Sequence, residues 1–248
     1  MIVLKAPPEI EIMRRCAKAV AIALREMSKA IAPGITTAEL DKIGEKTLLE
    51  LGARPCFKGY RNFPAAVCIS VNEEVVHGIP GPRILKEGDI VSLDVGAEIE
   101  GYHGDAAWTY PVGKISPEAT RLLNVARESL MQGISQAREG KRVGDISHAI
   151  QSYVESHGYS VVRDLVGHGI GKKLHEEPSI PNFGKPGTGP KLKAGMVLCI
   201  EPMINAGKYQ VRTQPDKWTV VTKDGSLSAH FEHMVLVTKS APEILTKL

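Results

Sequence analysis

The chain has 248 residues, of which 43% are hydrophobic and 24% charged, a balance typical of a globular protein that can bury its own core. Its formal net charge of +3 is too small to indicate a nucleic-acid binder. No run approaches the roughly 18 apolar residues of a membrane span, and the first residues, MIVLKAPPEIEIMRR, lack the apolar core of a secretory signal. The four cysteines form no CxxC pair. We therefore expect a cytoplasmic protein with free thiols and no membrane contact.

The predicted elements follow one another in an order that repeats. Apolar residues at helical spacing predict a helix over residues 8–31, and a capping box of Thr36 and Glu39 begins a second helix. The runs AAVCISV, DIVSLDVGA and AAWTYPVG predict strands. Ser116, followed by Pro, opens a third helix and VGDISHAIQSYVESHG predicts a fourth. Strands return in MVLCIEPMI, KWTVVTKDG and FEHMVLVT, so helices are followed by strands twice.

An internal repeat supports this reading. The stretch LKEGDIVSLD, residues 85–94, matches LKAGMVLCIE, residues 192–201, at an offset of 107 residues. Gly34 and Gly52 recur as glycines 106 residues later. Agreement in element order, in offset and in an acid at the same strand position indicates two similar α/β halves, with a binding site between them.

Acidic residues occupy strand positions where burial is costly unless something neutralises them. Asp94 and Asp105 lie in two neighbouring apolar strands. If these strands form a hairpin that turns at residues 99–100, the two acids face each other directly, and their repulsion needs a shared proton or a bound cation. Glu201 ends the matching strand of the second half, and Glu232 begins another. A single such acid often simply faces water, but two from each half together predict a metal centre.

One histidine joins this set. His168 lies between glycines in GHGIG, a predicted tight turn in which the backbone can approach a ligand closely, and the spacing is not that of a dinucleotide fingerprint. Four carboxylates and an imidazole favour Mn, Fe, Co or Zn, and two ions about 3.5–4 Å apart would explain so many acids. A water between two such ions is a nucleophile, which predicts hydrolysis. Taken alone, His77 and His175 are more typical of loop and surface residues. No role is predicted for the remaining histidines, His103, His148, His157, His230 and His233.

Six motifs spread over nearly the whole chain, NEEVVHGIP, SLDVGA, GYHGDAA, GHGIGKKLHEEP, CIEPM and SAHFEHMVLVT. In these the sequence resembles the type I methionine aminopeptidases, which have the pita-bread fold. The resemblance implies an α/β (α+β) fold of two pseudo-symmetric halves, with a curved, mainly antiparallel sheet flanked by helices. We expect one catalytic domain over residues 1–248, with the repeat at approximately 8–115 and 116–240.

The resemblance also implies roles for individual residues. Two divalent ions (Co, Mn, Fe, Zn or Ni) would be held by Asp94, Asp105, His168, Glu201 and Glu232. His77 and His175 would be catalytic, and Glu201 would carry the proton while a bridging water or hydroxide attacks the first peptide carbonyl. The substrate methionine would bind beside His77 and His175 in an apolar pocket formed by Cys56, Tyr60, Phe63, Cys68, Leu174 and Trp218. Phe63 and Leu174 stand where the family often has Tyr and Phe, which keeps the pocket apolar.

The implied activity is metal-dependent removal of the N-terminal methionine from nascent proteins and peptides, with preference for a small second residue. Two alternatives stay open. A Xaa-Pro peptidase of the same fold usually carries an additional N-terminal domain, and a non-catalytic pita-bread binding module lacks the metal ligands. The second half has no long insertion, which favours type I over type II, and the lack of a Cys/His-rich N-terminal extension favours the short bacterial form.

The expected partners are the N-terminal methionine of peptides and nascent chains, and the expected state is a monomer. A group of basic residues is either a solvated face or a weak, salt-sensitive docking site for the ribosome. Its members are Lys172, Lys173, Lys185, Lys191 and Lys193.

Overall fold

The computed structural model describes residues 2–247 of the chain. The helices are α1 Pro7–Ala30, α2 Thr37–Glu50, α3 Pro117–Ser135 and α4 Val143–Ser156, with a 3₁₀ turn at Tyr60–Asn62. The first-half strands are β1 Arg54–Pro55, β2 Val67–Val71, β3 Glu74–Val76, β4 Ile90–Ile99 and β5 Tyr102–Pro111. The second-half strands are β6 Ser160–Val161, β7 Val166–Gly169, β8 Glu176–Pro181, β9 Val197–Ile200, β10 Met203–Asn205, β11 Val211–Thr213, β12 Val220–Thr222, β13 Ser228–His230, β14 His233–Leu236 and β15 Glu243–Ile244. No helix within residues 2–247 is long and apolar enough to cross a membrane.

The predicted helices are confirmed, and local chemistry explains where they begin. At the start of α2, the Thr36 hydroxyl accepts a hydrogen bond from the Glu39 N–H at 3.2 Å, while the Glu39 carboxylate accepts from the Thr36 N–H at 2.8 Å. This reciprocal pair satisfies two backbone donors that a helix leaves free. At the start of α3, the Ser116 hydroxyl accepts from the Ala119 N–H at 3.1 Å, and Pro117 occupies the first helical position.

The two halves fold alike at the glycines that the repeat matches. Gly34 has a φ of 100° and Gly140 one of 90°, while Gly52 and Gly158 have values of 69° and 83°. A positive φ is readily adopted only by glycine, so each pair marks the same left-handed turn between the same elements. In one core α1 and α2 pack against β2, β4 and β5, and in another α3 and α4 pack against β9 and β10.

Every strand pairing among the described residues is antiparallel, in agreement with the expected fold class. The strands divide among four sheets rather than forming one continuous sheet. In the first half β4 lies between β2 and β5, and in the second half β9 lies between β14 and β7. The central strands β4 and β9 lie in the two segments that the repeat relates; Asp94 lies in the middle of β4, and Glu201 directly follows β9.

The register of the β4–β5 hairpin differs from the predicted one by two positions. The chain turns at Glu100–Gly101, whose φ angles are 53° and 77°, as in a type I′ turn. Asp94 therefore faces Ala107 and Asp105 faces Gly96, so the prediction that the acids face each other is wrong. Because side chains alternate with a period of two, a shift of two positions keeps both acids on the same face of the sheet.

Gly104 allows helix α1 to lie directly on the hairpin beside Asp105. A Cβ atom at Gly104 would lie 2.8 Å from the Cys16 backbone carbon, which is closer than side chains approach. We expect Gly104→Ala to lower the free energy of unfolding by about 1–3 kcal/mol, because the helix must move. Urea unfolding measures this. Gly81→Ala, where nothing lies within 4 Å, is the control and should change stability by less than about 0.5 kcal/mol; equal losses in both variants would contradict the packing argument.

Candidate metal centre and active site

The first half contributes two carboxyl groups from one face of its hairpin. Asp94 on β4 and Asp105 on β5 are diagonal neighbours on one face of the sheet, and their carboxyl groups influence each other's pKa. Two neighbouring buried carboxylates repel each other, so one of them keeps a proton when no cation is bound. The shared proton and the bound cation that the sequence leaves as alternatives are thus two ways of neutralising the same pair.

The second half brings its ligands to this pair from three places. His168 Nε2 lies 3.5 Å from Glu201 Oε1 and 3.9 Å from Asp105 Oδ2. Glu201 follows β9 directly, and Glu232 lies between β13 and β14, where its N–H donates to the Ala107 carbonyl oxygen at 2.8 Å. All five predicted ligands are therefore brought together at the seam between the halves.

His168 lies in strand β7, not in the glycine turn that the sequence predicts. A register shift interrupts the β7–β8 pairing between Gly167 and Gly169, as in a bulge, which can re-aim a side chain. The two glycines are needed for close packing of strands. A Cβ at Gly167 would lie 2.4 Å from the Cys199 carbonyl oxygen, and one at Gly169 would lie 2.3 Å from that of Glu177.

The residues present fit a divalent cation. Asp94 Oδ1, Asp105 Oδ1 and Glu232 Oε1 are buried and have no hydrogen-bond partner among the described residues. Buried carboxylate oxygens without donors are costly, and a cation would satisfy them. Ligand atoms of Asp105, His168, Cys199 and Glu232 all lie within 4.8 Å of one another. The cluster is therefore able to hold a metal ion.

Cys199 is part of this cluster although the sequence motifs do not point to it. It pairs directly with His168 across β7 and β9 and lies two residues before Glu201, so the three side chains share one face. Its thiol is buried and lies within 4.8 Å of a carboxylate oxygen of Glu232. The period-two spacing before Glu201 is the only sequence signal that could have indicated it.

Burial dominates the electrostatics of the centre. It raises the pKa of Asp94 to about 6 and raises the pKa of Asp105, Glu201 and Glu232 well above the usual range, with neighbouring carboxylates adding to these last three. Burial also lowers the pKa of His168 to about 3, so its imidazole is neutral at physiological pH. A neutral imidazole is the form that binds metals.

A cavity of about 160 Å³ is lined by the five predicted ligands together with aromatic and other apolar side chains. It is small beside the roughly 300–1,000 Å³ of pockets for drug-sized ligands, which suits a single side chain. The Phe63 and Trp218 rings meet edge to face at 5.1 Å in its wall. The other predicted wall residues that line it are Tyr60, Cys68, Leu174, His77 and His175. Cys56 lies behind the wall against Gly96, and its neighbour Phe57 lines the cavity in its place.

Two further histidines border the cavity. His77 follows β3 with a φ of 60°, a left-handed conformation that costs a non-glycine residue about 1–3 kcal/mol and that proteins tolerate mostly at functional sites. Burial lowers its pKa to about 4. His175 Nδ1 lies 2.9 Å from the Tyr60 hydroxyl, and its ring centroid is 4.3 Å from that of His168. Partial burial and then the nearby Arg61 lower the pKa of His175 to about 4, so this ring is also neutral.

Residues 11–239 of the chain match metallopeptidase family M24. The chain belongs to this family. It is 55% identical to methionine aminopeptidase 1 of Bacillus subtilis over 248 residues, which cover all of both chains. It is also 55% identical to a methionine aminopeptidase of Clostridium acetobutylicum over 247 residues and 99% of both chains.

Solved structures of this M24 family confirm the pita-bread fold. The chain matches the crystal structure of the methionine aminopeptidase from Thermotoga maritima with a TM-score of 0.99 at 51% identity, over all of both chains. A prolidase from Pyrococcus furiosus gives a TM-score of 0.79 at 22% identity, and the match covers 99% of this chain and 66% of that one. The prolidase likeness shows the fold alone.

A buried ion pair holds the segment that carries His175. Lys5 Nζ lies 2.6 Å from Glu176 Oε2, with side chains that are 3% and 12% exposed. Glu176 directly follows His175, and its other oxygen accepts from the Lys173 N–H at 3.1 Å. The pair therefore ties the N-terminal segment to the loop beside the cavity.

Removing one partner of this pair should be costly. We expect Lys5→Met to lower the free energy of unfolding by about 3–5 kcal/mol, because Glu176 is left buried and unpaired. Urea unfolding measures this, and the double variant Lys5→Met/Glu176→Leu should regain most of the loss. Lys172→Met, at an exposed lysine of the same groove, should stay within about 0.5 kcal/mol. A loss that persists in the double variant would contradict the ion-pair explanation.

In the protein stripped of metal by EDTA, the buried carboxyl groups should contribute less to stability as the pH rises. The folded chain keeps the Asp94 proton up to a pKa of about 6, whereas the unfolded chain loses it near 3.9. The Asp94 carboxyl thus binds more protons in the folded state in this window, so its contribution to stability is fully present below pH 4 and is lost as the pH rises to 6, by on the order of 3 kcal/mol. The neutral His77, His168 and His175, whose pKa values are lowered, act in the opposite direction over the same window. The raised pKa values of Asp105, Glu201 and Glu232 extend the fall to higher pH.

Melting temperatures at pH 5 and pH 8, with and without added Mn²⁺, test this expectation. Added metal should reverse the trend, because it stabilises the deprotonated ligands. Asp105→Asn should reduce the loss of stability that the carboxyl groups cause between pH 5 and pH 8 in the metal-free protein, and it should remove the effect of Mn²⁺. If the metal-free wild type and Asp105→Asn change in melting temperature by the same amount between pH 5 and pH 8, the carboxyl groups are not buried against one another.

Proposed function

We propose that this protein removes the N-terminal methionine from peptides and nascent chains by metal-dependent hydrolysis. The observation that carries the proposal is the small cavity, with room for one side chain, whose wall combines the five predicted metal ligands with apolar side chains. The relatives at 55% identity are named methionine aminopeptidases and match the chain over its full length. The proline-peptidase alternative is supported by the fold alone, and the binding-module alternative conflicts with the complete set of ligands.

Asp94, Asp105, His168, Glu201 and Glu232 are the residues we propose to hold two divalent ions. When bound, the ions would supply Lewis-acid polarisation of the carbonyl and an acidified water. Carboxylate-rich ligands suit Mn, Fe, Co, Zn and Ni, and supply in the cell decides among them. The buried Cys199 thiol adds a softer donor beside the same residues.

Glu201 is the proposed proton carrier. Its carboxylate lies 3.5 Å from His168 through one oxygen and borders the cavity. It can take the proton from the attacking water and give it to the leaving amine, the usual work of a carboxyl group in a buried site. The new amine then leaves with the second residue as its N-terminus, and methionine remains in the cavity.

His175 is the proposed donor to the carbonyl oxygen. Its neutral ring carries one proton, and the Tyr60 hydroxyl is placed to donate to Nδ1. This arrangement puts the proton on Nε2, which is then free to stabilise the developing oxyanion. His77, whose ring centroid lies 6.2 Å from that of Trp218, lines the same cavity and would position the amide nitrogen.

The wider cellular role is a further part of the proposal. We propose that the protein acts in the cytoplasm as a monomer and docks weakly on the ribosome. The five lysines of the basic group are exposed, and Lys172 and Lys173 line a groove that also includes His175. Co-sedimentation with ribosomes at low salt, lost at high salt and in a Lys172→Glu/Lys173→Glu variant, would support docking. Binding that is insensitive to salt would contradict it.

Tripeptides test the activity and separate it from its alternatives. With Mn²⁺ or Co²⁺ added, we expect release of methionine from Met-Ala-Ser, much less from Met-Leu-Ser, and no cleavage of Ala-Pro-Ser. Amino-acid analysis measures all three. Cleavage of the proline peptide alone would favour the prolidase alternative, and failure to bind any divalent ion in calorimetry would favour the binding module.

His175→Ala should lower kcat by about 10²-fold with little change in KM, because the lost donor acts on the developing oxyanion. Tyr60→Phe should cost less, since it removes only the hydrogen bond that selects the tautomer. His148→Ala, at an exposed histidine of α4, should leave kcat unchanged. If His175→Ala raises KM alone, the residue binds substrate and does not stabilise the transition state.

A further inference from the structure

His230 is a buried histidine that points at the carboxylates of the metal centre. It ends strand β13 and is 2% exposed. Its Nε2 lies 3.4 Å from Glu201 Oε2, and it has no hydrogen-bond partner among the described residues. An imidazole nitrogen so deeply buried normally has a partner, so its orientation needs an explanation.

The backbone of His230 is clamped to the face of the first-half hairpin that carries the acids. Its N–H donates to Thr109 Oγ1 at 3.0 Å, and its carbonyl oxygen accepts from the same hydroxyl at 2.7 Å. The Thr109 hydroxyl has one proton and donates it to that carbonyl oxygen. The Ser92 hydroxyl must therefore donate to Thr109 Oγ1, at 2.8 Å. Ser92 and Thr109 lie directly opposite each other, two positions from Asp94 and its partner, so this chain of hydrogen bonds places His230 beside the acidic pair.

Glu201 lies between two imidazoles. Its Oε1 is 3.5 Å from His168 Nε2, and its Oε2 is 3.4 Å from His230 Nε2. A carboxylate that binds a metal through one oxygen turns about its side-chain bonds unless a second group holds the other oxygen. Groups that hold metal ligands in this way affect metal affinity by about 10–100-fold.

We propose that His230 is a positioning residue for the metal centre: its Nε2–H donates a hydrogen bond to Glu201 Oε2 and keeps Oε1 turned toward His168. His230 does not bind the metal or the substrate itself. The inference rests on the proposed function only where turnover is measured, since the effect on metal affinity needs no substrate.

His233 provides a matched comparison three residues along the chain. It is also buried, at 7% exposed, and its ring lies against Trp108 with centroids 5.4 Å apart. Its Nδ1 pairs with the Thr246 hydroxyl at 3.0 Å, and none of its described ion-pair or hydrogen-bond partners is an acid. Substitution of His233 therefore reports the effect of changing a buried histidine in the same region without touching Glu201.

The experiment compares His230→Ala, His230→Gln and His233→Gln with the wild type. Calorimetry gives the affinity for Mn²⁺, and release of methionine from Met-Ala-Ser gives kcat. We expect His230→Ala to weaken Mn²⁺ binding by about 10–100-fold and to lower kcat. His230→Gln should restore both to within a few-fold, because its amide N–H reaches a similar position and can donate. His233→Gln should keep the Mn²⁺ affinity of the wild type, even if its melting temperature falls.

Three outcomes would overturn the proposal. An unchanged Mn²⁺ affinity in His230→Ala would show that the ring only fills space. A His230→Gln variant as defective as His230→Ala would show that the imidazole itself is required, as for direct coordination. An equal loss in His233→Gln would show a general loss of structure. If Mn²⁺ affinity follows the expected pattern but no variant or wild type releases methionine, the proposed function fails while the positioning role of His230 stands.

Discussion

The mutual repulsion of four carboxyl groups in a buried space is the constraint on which the rest of the structure depends. Asp94 and Asp105 come from one half, and Glu201 and Glu232 from the other, so neither half alone builds the centre. Without a cation the repulsion is relieved by protons, which is why burial raises the pKa of all four groups. A cation that replaces those protons neutralises the site and makes it chemically active with the same ligands.

Neutral histidines surround this charge. Burial lowers the pKa of His77, His168 and His175, so none adds a positive charge that would compete with a metal ion. Each can instead supply one lone pair and one proton, and neighbouring groups such as the Tyr60 hydroxyl decide which nitrogen carries which. The cation therefore neutralises the carboxylates, while the imidazoles orient neighbouring groups and donate hydrogen bonds.

The fold supports the site but does not choose the substrate. A prolidase shares the fold at 22% identity, so a framework of two halves with acids at the seam is compatible with different peptide bonds. We propose that the cavity wall, where Phe63 and Trp218 meet edge to face, selects methionine. Both residues stand on loops outside the central strands, which explains how one scaffold can serve several specificities.

Local patterns in the sequence determined the four helices, their caps and the repeat that relates Asp94 to Glu201, because caps and periodicity act within a few residues. They also indicated the acids, since a charge in an apolar strand is conspicuous in any context. The tertiary structure alone decided the hairpin register, because Glu100 adopts a left-handed conformation that its residue type does not announce. It alone brought Cys199 and His230 to the centre, since their partners lie on strands distant in sequence, and contact across sheets is set by packing and not by any local pattern.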